Sequence, residues 1–325
     1  MVSRRELVFG VAASLLFGGT FVAAKAGLDY IPPLLFVALR FDVAAIVLFG
    51  YVVLTRSREE LLPRSRGDVV GILATGLLAL GLTNALLFVG QQDASSAVGA
   101  IVFSLNPVLT PVFAALLLAD ERLSARGATG LLVALLGVAL VVDPDPSMLS
   151  AGGGKALLFA GAVTGALGSV LVRWSSGTLS STVRTAWGLP FGAALTHALS
   201  WTAGESPAAV AWTPVALAAL LYVGVFAGAI AYVAYFGLLD DVGATNANLV
   251  FYVVPVVSTV AGWALLNEAI SELTVVGFLT VFVGFVILGG ESLPRPDWAS
   301  LPSESPSIST DRLGVGEEAT GFESD

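Results

Sequence analysis

Two short segments decide the architecture of this chain: LLADERLS at 117–124 and LLNEAIS at 265–271. Each ends a long apolar run, and each is followed by two glycines seven positions apart. The corresponding landmarks are Asp93 and Asp241, Pro107 and Pro255, Glu121 and Glu268, Gly130 and Gly277, and Gly137 and Gly284. Landmarks that recur in the same order about 147 positions apart indicate an internal repeat.

The composition places both copies of the repeat in a lipid bilayer. Hydrophobic residues make up 56% of the chain, charged residues only 12%, and the mean hydropathy is +0.88. Soluble domains carry about a quarter charged residues. A membrane-spanning helix needs about 20 apolar residues, and ten such segments are predicted: 7–27, 34–54, 68–90, 96–118, 126–142, 154–173, 182–201, 214–237, 245–266 and 273–290.

The repeat predicts an all-α integral membrane protein built from two inverted halves. Each half holds five segments, and because five is odd, the second half enters the membrane in the opposite sense. The predicted boundaries are 1–145 for the first half and 146–290 for the second. Residues 291–325, rich in proline, serine and acidic side chains, are predicted to be a disordered acidic tail. Inverted halves are typical of secondary transporters.

The distribution of basic residues predicts the orientation. With a cytoplasmic N-terminus, twelve of the fifteen basic residues fall on the cytoplasmic side. We therefore expect a multi-pass protein of the plasma membrane with both termini in the cytoplasm. Arg4 and Arg5 before the first segment could belong to a cleaved signal peptide, but that segment is longer than a signal core and nine more follow it.

The sequence resembles the drug/metabolite transporter superfamily, EamA type. The residues that carry the likeness are FGGTFVAAK at 17–25, Arg40, Pro107, Glu121, Pro255, Glu268 and the glycines after each glutamate. The resemblance implies ten helices around a central path and cytoplasmic termini. It also implies export of amino acids and other metabolites, or import of some solutes.

Three charged residues in or near the predicted spans are candidates for function, because ionisable groups are costly inside a membrane. Arg40 either snorkels to the outer surface or faces the path and attracts an anionic group. Asp42 is either a proton-coupling carboxylate or a hydrogen-bonding partner of a neighbouring helix. Lys25 is expected to pair with Asp29 one turn later, and the resemblance implies a place near the outer mouth of the path. His197, the only histidine, is expected to have an interfacial packing role.

Polar and aromatic residues recur at helical spacing on four segments and predict the substrate path. Stripes of this kind face a wet cavity or make interhelical hydrogen bonds, and both alternatives stay open. Pro107 and Pro255 are expected either to bend their helices, as gates, or to be plain packing kinks. Glu121 and Glu268 are expected to cap the helix that follows each of them. The path candidates are Asn84, Phe88, Asn106, Tyr232, Tyr235, Asn248 and Tyr252.

The pattern favours a secondary transporter of small metabolites, amino acids or similar amphiphilic solutes, and the resemblance favours an exporter. The alternatives are a membrane-embedded lipid-modifying enzyme and a non-transporting sensor. The chain has no cysteine, and GGGK at 152–155 lacks the other residues of a phosphate-binding loop. We therefore expect no catalytic residues, metal, cofactor or nucleic acid. The expected partners are a small solute and the bilayer, with proton coupling possible through Asp42 and an oligomeric state that is open, a monomer included.

Overall fold

The structure, a computed structural model, describes residues 3–118, 124–142, 153–247 and 250–289. All regular secondary structure of these residues is helical. Glu121, Asn248 and the acidic tail at 291–325 lie outside the described residues, so the predictions made for them are not tested.

The helices follow one another in chain order with short connections. They are α1 (Arg4–Leu28), α2 (Pro33–Thr55), α3 (Arg66–Gln91), α4 (Ser96–Leu117), α5 (Ala125–Val142), α6 (Gly154–Trp174), α7 (Ser181–Thr202), α8 (214–247), α9 (Val250–Leu266) and α10 (Glu272–Gly289). A one-turn helix, Arg58–Leu61, lies between α2 and α3, and a 3₁₀ turn, Pro207–Ala209, lies between α7 and α8.

Six helices of the described residues are long and apolar enough to cross a membrane: α1, α2, α3, α4, α6 and the Pro214–Leu239 part of α8. Helices α5, α9 and α10 are apolar but shorter. Helix α7 has 22 residues but is less apolar, since it carries Arg184, His197 and several hydroxyl groups. Large apolar side chains such as Ile46, Leu54 and Leu116 are exposed on the outer faces of helices, as lipid contact requires. The prediction of an all-helical membrane protein is confirmed.

Two helices contain a π-helical stretch, in which the backbone makes i→i+5 hydrogen bonds. The stretches are Ala74–Leu82 in α3 and Tyr222–Ile230 in α8, nine residues each, and the second begins 148 positions after the first. Such stretches are rare in proteins as a whole, but those that occur are often found at functional sites.

Carboxylates satisfy amide groups at three helix N-termini, and two of these carboxylates come from distant loops. Glu205 accepts from the amides of Leu34 and Leu35, at the start of α2, at 3.1 and 2.7 Å. Glu268 accepts from the amide of Ser96, at the start of α4, at 3.0 and 3.1 Å. The expectation that Glu268 caps the following helix is therefore wrong, because its carboxylate reaches across 172 positions to a helix of the other predicted half.

Asp68 forms the third of these caps, and it also ties two loops together. Within α3 it completes a capping box with Ser65, and its Oδ2 accepts from the amides of both Arg64 and Ser65 at 3.0 Å each. The same carboxylate accepts from the amides of Thr178 and Leu179, just before α7, at 2.6 and 3.1 Å. With four amide donors, this buried charge is fully satisfied by backbone groups.

Glycines allow helices of the two predicted halves to approach closely. A Cβ added at Gly137 of α5 would lie 2.5 Å from the Val281 amide nitrogen and 2.7 Å from the Gly277 carbonyl of α10. In α1, a Cβ at Gly18 would lie 2.5 Å from Val257 of α9. The repeated glycines are therefore packing residues, as small residues at membrane helix interfaces usually are.

Candidate functional site

A cavity of about 580 Å³ lies between helices of both predicted halves. Its wall is made by α1, α2, α3 and α4 and by α6, α7, α8 and α9. None of its described lining residues comes from α5 or α10, which pack against each other. The volume falls within the range of about 300–1,000 Å³ that is usual for small-molecule sites.

Arg40 places a buried cation in the wall of this cavity. It is only 4% exposed, and its Nη1 donates to Asn84 Oδ1 at 3.1 Å. The guanidinium carbon lies 5.2 Å from the ring centre of Phe88 and 5.4 Å from that of Phe41, which are cation–π distances. Of the two alternatives for Arg40, snorkelling to the surface is wrong, because the side chain is buried in the cavity wall; the alternative that it faces the path and attracts an anionic group stays a prediction.

The π-helical stretch of α3 positions the partner of Arg40. The Asn84 Nδ2 donates to the Leu80 carbonyl at 2.8 Å, which turns Oδ1 toward Arg40. Thr83 Oγ1 donates to the Leu78 carbonyl at 2.8 Å and lies 3.1 Å from Thr164 Oγ1 of α6. Both carbonyls also accept from the Thr83 backbone N–H, so the polar side chains after the π-helical stretch add second hydrogen bonds to carbonyl groups at its end.

Aromatic side chains line another part of the cavity. The ring of Phe17 lies 5.3 Å from Tyr232, 6.1 Å from Tyr235 and 6.0 Å from Phe251, measured between centroids. Tyr235 also contacts Phe251 edge to face at 5.3 Å. All four line the cavity, which therefore combines a polar corner around Arg40 with an apolar surface that can cover the body of an amphiphilic solute.

Helix α4 is interrupted beside the cavity, at the predicted path residue Asn106 and the predicted bend at Pro107. The α-helical stretch that begins at Ser96 ends at Phe103, and a second stretch begins at Asn106, with Pro107 in its first turn, where proline is tolerated. Both Asn106 and Pro107 line the cavity. The matching proline, Pro255, is buried in the middle of the continuous α9 and is not among the lining residues. Only Pro107 therefore coincides with a break in its helix.

Several predicted path residues lie away from the cavity. Phe88 is fully buried and packs edge to face on Phe36 at 5.3 Å, behind Arg40. Tyr252 packs on Phe285 of α10 at 4.5 Å. Helical spacing, which placed Phe88 on one stripe with Asn84 and Tyr252 on one with Asn248, was too coarse, because a residue one turn along can point into the gap between two helices.

The contacts of Lys25 and Asp42 also differ in part from those that the sequence predicts. The Lys25 Nζ donates to the carbonyls of Gln91 and Gln92 at 3.1 and 2.9 Å, at the end of α3, so the expected pairing with Asp29 is wrong. Asp42 Oδ2 lies 2.8 Å from Nε2 of His197 on α7, which is the hydrogen bond to a neighbouring helix that formed one of its two alternatives. Both members of this pair are about half exposed and neither lines the cavity. His197 therefore has a specific polar partner rather than a packing role alone.

The structure adds cavity residues that the sequence did not single out. Arg184 was counted only among the basic residues of the cytoplasmic side, yet it lines the cavity together with Ser181 and Thr185. The sequence did contain a signal for them. Arg184 and Thr185 follow Ser181 by three and four positions, a helical spacing that places all three on one face of the first turn of α7. Thr75 in the π-helical stretch of α3 is a further lining residue.

The cavity walls hold polar atoms that have no partner in the protein. Among the described residues, four buried side-chain atoms lack a hydrogen bond: Arg40 Nε, Thr75 Oγ1, Arg184 Nε and Gln91 Oε1. The first three belong to residues that line the cavity. Buried polar groups are nearly always satisfied, so a concentration of exceptions in one cavity is typical of a site that takes a polar ligand.

A polytopic helical membrane protein with such a cavity between its helices has the architecture of a solute carrier. Comparison with known proteins agrees. The chain belongs to the EamA-like transporter family, whose sequence profile matches residues 4–143 and 153–290. The resemblance inferred from the sequence is thus confirmed, and the protein is a membrane transporter of that family.

Relatives and a solved structure extend the match over nearly the whole length. The Bacillus subtilis "Uncharacterized transporter YyaM" is 28% identical over 85% of this chain and 91% of its own. The Escherichia coli K12 "Uncharacterized inner membrane transporter YedA" is 27% identical over 87% of this chain and 90% of its own. A crystal structure with 22% identity aligns with 89% of this chain and 99% of its own at a TM-score of 0.62, which shows a shared fold.

Proposed function

We propose that this protein is a secondary transporter that moves a small amphiphilic metabolite, an amino acid or a similar solute, through the cavity around Arg40, and that it works as an exporter. The observation that carries the proposal is the cavity itself. It joins a desolvated guanidinium with the Asn84 amide on one side and the aromatic group of Phe17, Tyr232, Tyr235 and Phe251 on the other. A polar head and an apolar body fit such a site.

We propose ten membrane spans in two inverted halves of five. The recurrence of the π-helical stretch after 148 positions supports this, because Ala74–Leu82 and Tyr222–Ile230 lie in the third and eighth helices. The family profile also matches the chain twice, once in each half. Inverted halves permit two nearly equivalent states of opposite access around one site. The positive-inside rule then gives cytoplasmic termini, and the plasma membrane is the proposed location.

Contacts at one end of the bundle support a state that is closed on the outer side. Ser96 is the centre of this group: its amide donates to Glu268, its Oγ contacts the Phe21 carbonyl at 3.4 Å, and its carbonyl accepts from Ser258 Oγ at 2.9 Å. Lys25 binds carbonyls at the same end. In the proposed orientation this end is extracellular, so these bonds close the outer side and would break when the path opens outward.

The alternative functions have less support. A lipid-modifying enzyme would need paired acids or histidines at the membrane face, and the described residues hold no cluster of three or more such groups. The one His–Asp pair, His197 with Asp42, stands apart from the cavity. Proton coupling through Asp42 also loses its geometric basis, because this carboxylate does not line the proposed path.

Counterflow into proteoliposomes tests the proposal. Purified protein is reconstituted with an unlabelled solute inside, and uptake of the labelled solute is followed for a panel of amino acids and organic acids. We expect accumulation for at least one solute, and Ser169→Trp, which fills the cavity, should abolish it. Leu132→Trp on the lipid-exposed face of α5 is the matched control. Lipid turnover without flux across the whole panel would refute the transport proposal.

A further inference from the structure

We propose that the solute carried is an organic anion, and that it is bound at two successive positions in the cavity, one at Arg40 and one at Arg184. This inference rests on the proposed transport function. Among the amphiphilic solutes proposed there it selects organic anions over amino acids, and it adds a second binding position. It rests on two observations. Two arginines that line one cavity each have an Nε donor without a partner, and the charges of the lining residues are not balanced by carboxylates.

The first position is built around Arg40. Its guanidinium is almost completely buried, is held by Asn84 and two aromatic rings, and keeps Nε free of any protein partner. Guanidinium groups bind carboxylates with two parallel hydrogen bonds. An arginine that is fixed by neutral groups and still has an unused donor is prepared for such a ligand, because no protein carboxylate competes for it.

The second position is built around Arg184 on the first turn of α7. Its Nη2 donates to Ser181 Oγ at 3.2 Å, while its buried Nε has no partner. The side chain lies against α3, since its Cδ is 3.3 Å from where a Cβ of Gly71 would stand. Thr75, one turn further along α3, adds a buried hydroxyl without a partner.

The two positions are distinct places along the path. Arg40 meets α3 at Asn84, and Arg184 meets it at Gly71, thirteen residues earlier. At 1.5 Å per residue this separation is about 20 Å along the helix. One small solute cannot touch both points at once, so an anion would pass from one arginine to the other as it moves.

The charge balance of the cavity selects an anion over a zwitterion or a cation. The described lining residues include two arginines and no aspartate or glutamate. The carboxylates of the wall helices α2 and α3 are already occupied, because Asp42 pairs with His197 and Asp68 accepts four backbone amides. The ammonium group of an amino acid would enter a low-dielectric site with two cations and no counter-charge, which is unfavourable.

Three probes that share one aromatic body test the charge preference. They are 3-phenylpropanoate, an anion, phenylalanine, a zwitterion, and 2-phenylethylamine, a cation. Binding to the purified full-length protein is followed by ligand-induced thermal stabilisation and by equilibrium dialysis. We expect 3-phenylpropanoate to bind at least about tenfold more tightly than either other probe. The amine has no carboxylate for the arginines to bind, and phenylalanine brings an ammonium group that has no counter-charge in the cavity. Equal or tighter binding of phenylalanine overturns the inference.

Arginine variants test the two positions. Arg40→Gln and Arg184→Gln should each weaken binding of 3-phenylpropanoate, and Arg184→Lys should restore part of it because the charge is retained. Arg58→Gln in the exposed turn between α2 and α3 is the control and should bind like the parent protein. If Arg184→Gln folds and binds 3-phenylpropanoate with unchanged affinity, the second position is refuted.

A cysteine probe locates the bound anion at Arg184 independently, since the chain has no cysteine of its own. Thr75→Cys should react with a water-soluble thiosulfonate, and 3-phenylpropanoate should slow that reaction. In the double variant with Arg184→Gln the protection should disappear. A cysteine that never reacts, or one that the anion never protects, overturns the second position.

The outcomes separate this inference from the transport proposal. If amino acids accumulate in the counterflow assay and organic anions do not, the protein is a carrier and the anion inference fails. If no solute accumulates but the anion binds with the predicted arginine dependence, the binding site stands and the transport proposal fails.

Discussion

Removal of the Glu268 carboxylate should loosen the contact that joins the two halves at the proposed outer end. In the folded protein this carboxylate accepts from the Ser96 amide at 3.0 and 3.1 Å and from Ser96 Oγ at 3.2 Å. Ser96 is completely buried, so its amide has no replacement partner in the variant. Glu268→Ala therefore removes both a helix cap and the negative charge near the N-terminus of α4.

The expected loss follows from these two contributions. A lost cap costs about 0.5–2 kcal/mol, and the charge at a helix N-terminus contributes about 0.3–1 kcal/mol. The sum is about 1–3 kcal/mol. Since about 1 kcal/mol corresponds to about 2–4 °C in a chain of this order of size, the apparent Tm should fall by several degrees.

Thermal unfolding in detergent, followed by intrinsic tryptophan fluorescence, measures the effect. Glu268→Gln keeps one carbonyl acceptor and should fall between the parent and Glu268→Ala. Glu59→Ala is the control. Glu59 is exposed, and the substitution removes only an ion pair with Arg64 at 3.7 Å. An unchanged Tm for Glu268→Ala would show that the link to Ser96 does not stabilise the fold.

Four further substitutions test the packing and capping described above. Glu205→Ala should lower stability by about 1–2 kcal/mol, because the N-terminus of α2 loses its cap; urea or thermal unfolding measures it, and an unchanged midpoint contradicts the cap. Gly137→Ala should cost about 1–3 kcal/mol, because the new methyl group meets backbone atoms of α10. Gly50→Ala meets nothing within 4 Å and should stabilise by up to about 1 kcal/mol; equal Tm changes for these two glycines would refute the packing argument. Asp68→Ala leaves four backbone amides without their acceptor and should lower stability by about 3 kcal/mol or more. The yield of folded protein should therefore drop sharply, and a yield and Tm like those of the parent would contradict this prediction.

The membrane class and the family could be predicted from the sequence because their signals are long. Apolar runs of about twenty residues, the bias of basic residues and the repeated landmarks around Pro107 and Glu121 are each spread over many positions. Hydropathy is averaged over a whole helix, so one polar residue does not prevent the prediction of a membrane span. The same averaging explains why α7, with Arg184 and His197, is the weakest of the long segments.

The site was only partly predictable, because it depends on which way single side chains point. Asn84, Asn106, Tyr232 and Tyr235 do line the cavity, while Phe88 on the same stripe lies behind Arg40. The π-helical stretches rotate the helix face by part of a turn, and no sequence period reveals them. Helical spacing therefore identifies the correct helices better than the correct residues.

The remaining site features depend on partners that are far apart in the chain. Glu268 and Ser96 are 172 positions apart, and Asp42 and His197 are 155 positions apart. A short-range rule assigns such residues to their neighbours, as it did for Lys25 with Asp29. Only the packing of the helices shows that Lys25 binds carbonyls at the end of α3 instead.

Labelling of one cysteine in the cavity tests most directly whether the cavity is the solute path. Asn106→Cys, in reconstituted protein, should react with a water-soluble thiosulfonate, and a solute that shows counterflow should slow the reaction. Phe88→Cys, which is buried outside the cavity, should stay unlabelled, and Glu59→Cys in the exposed turn should react whether or not solute is present. If Asn106→Cys stays unlabelled from both sides of the membrane, or reacts at a rate that no transported solute changes, the cavity is not the path.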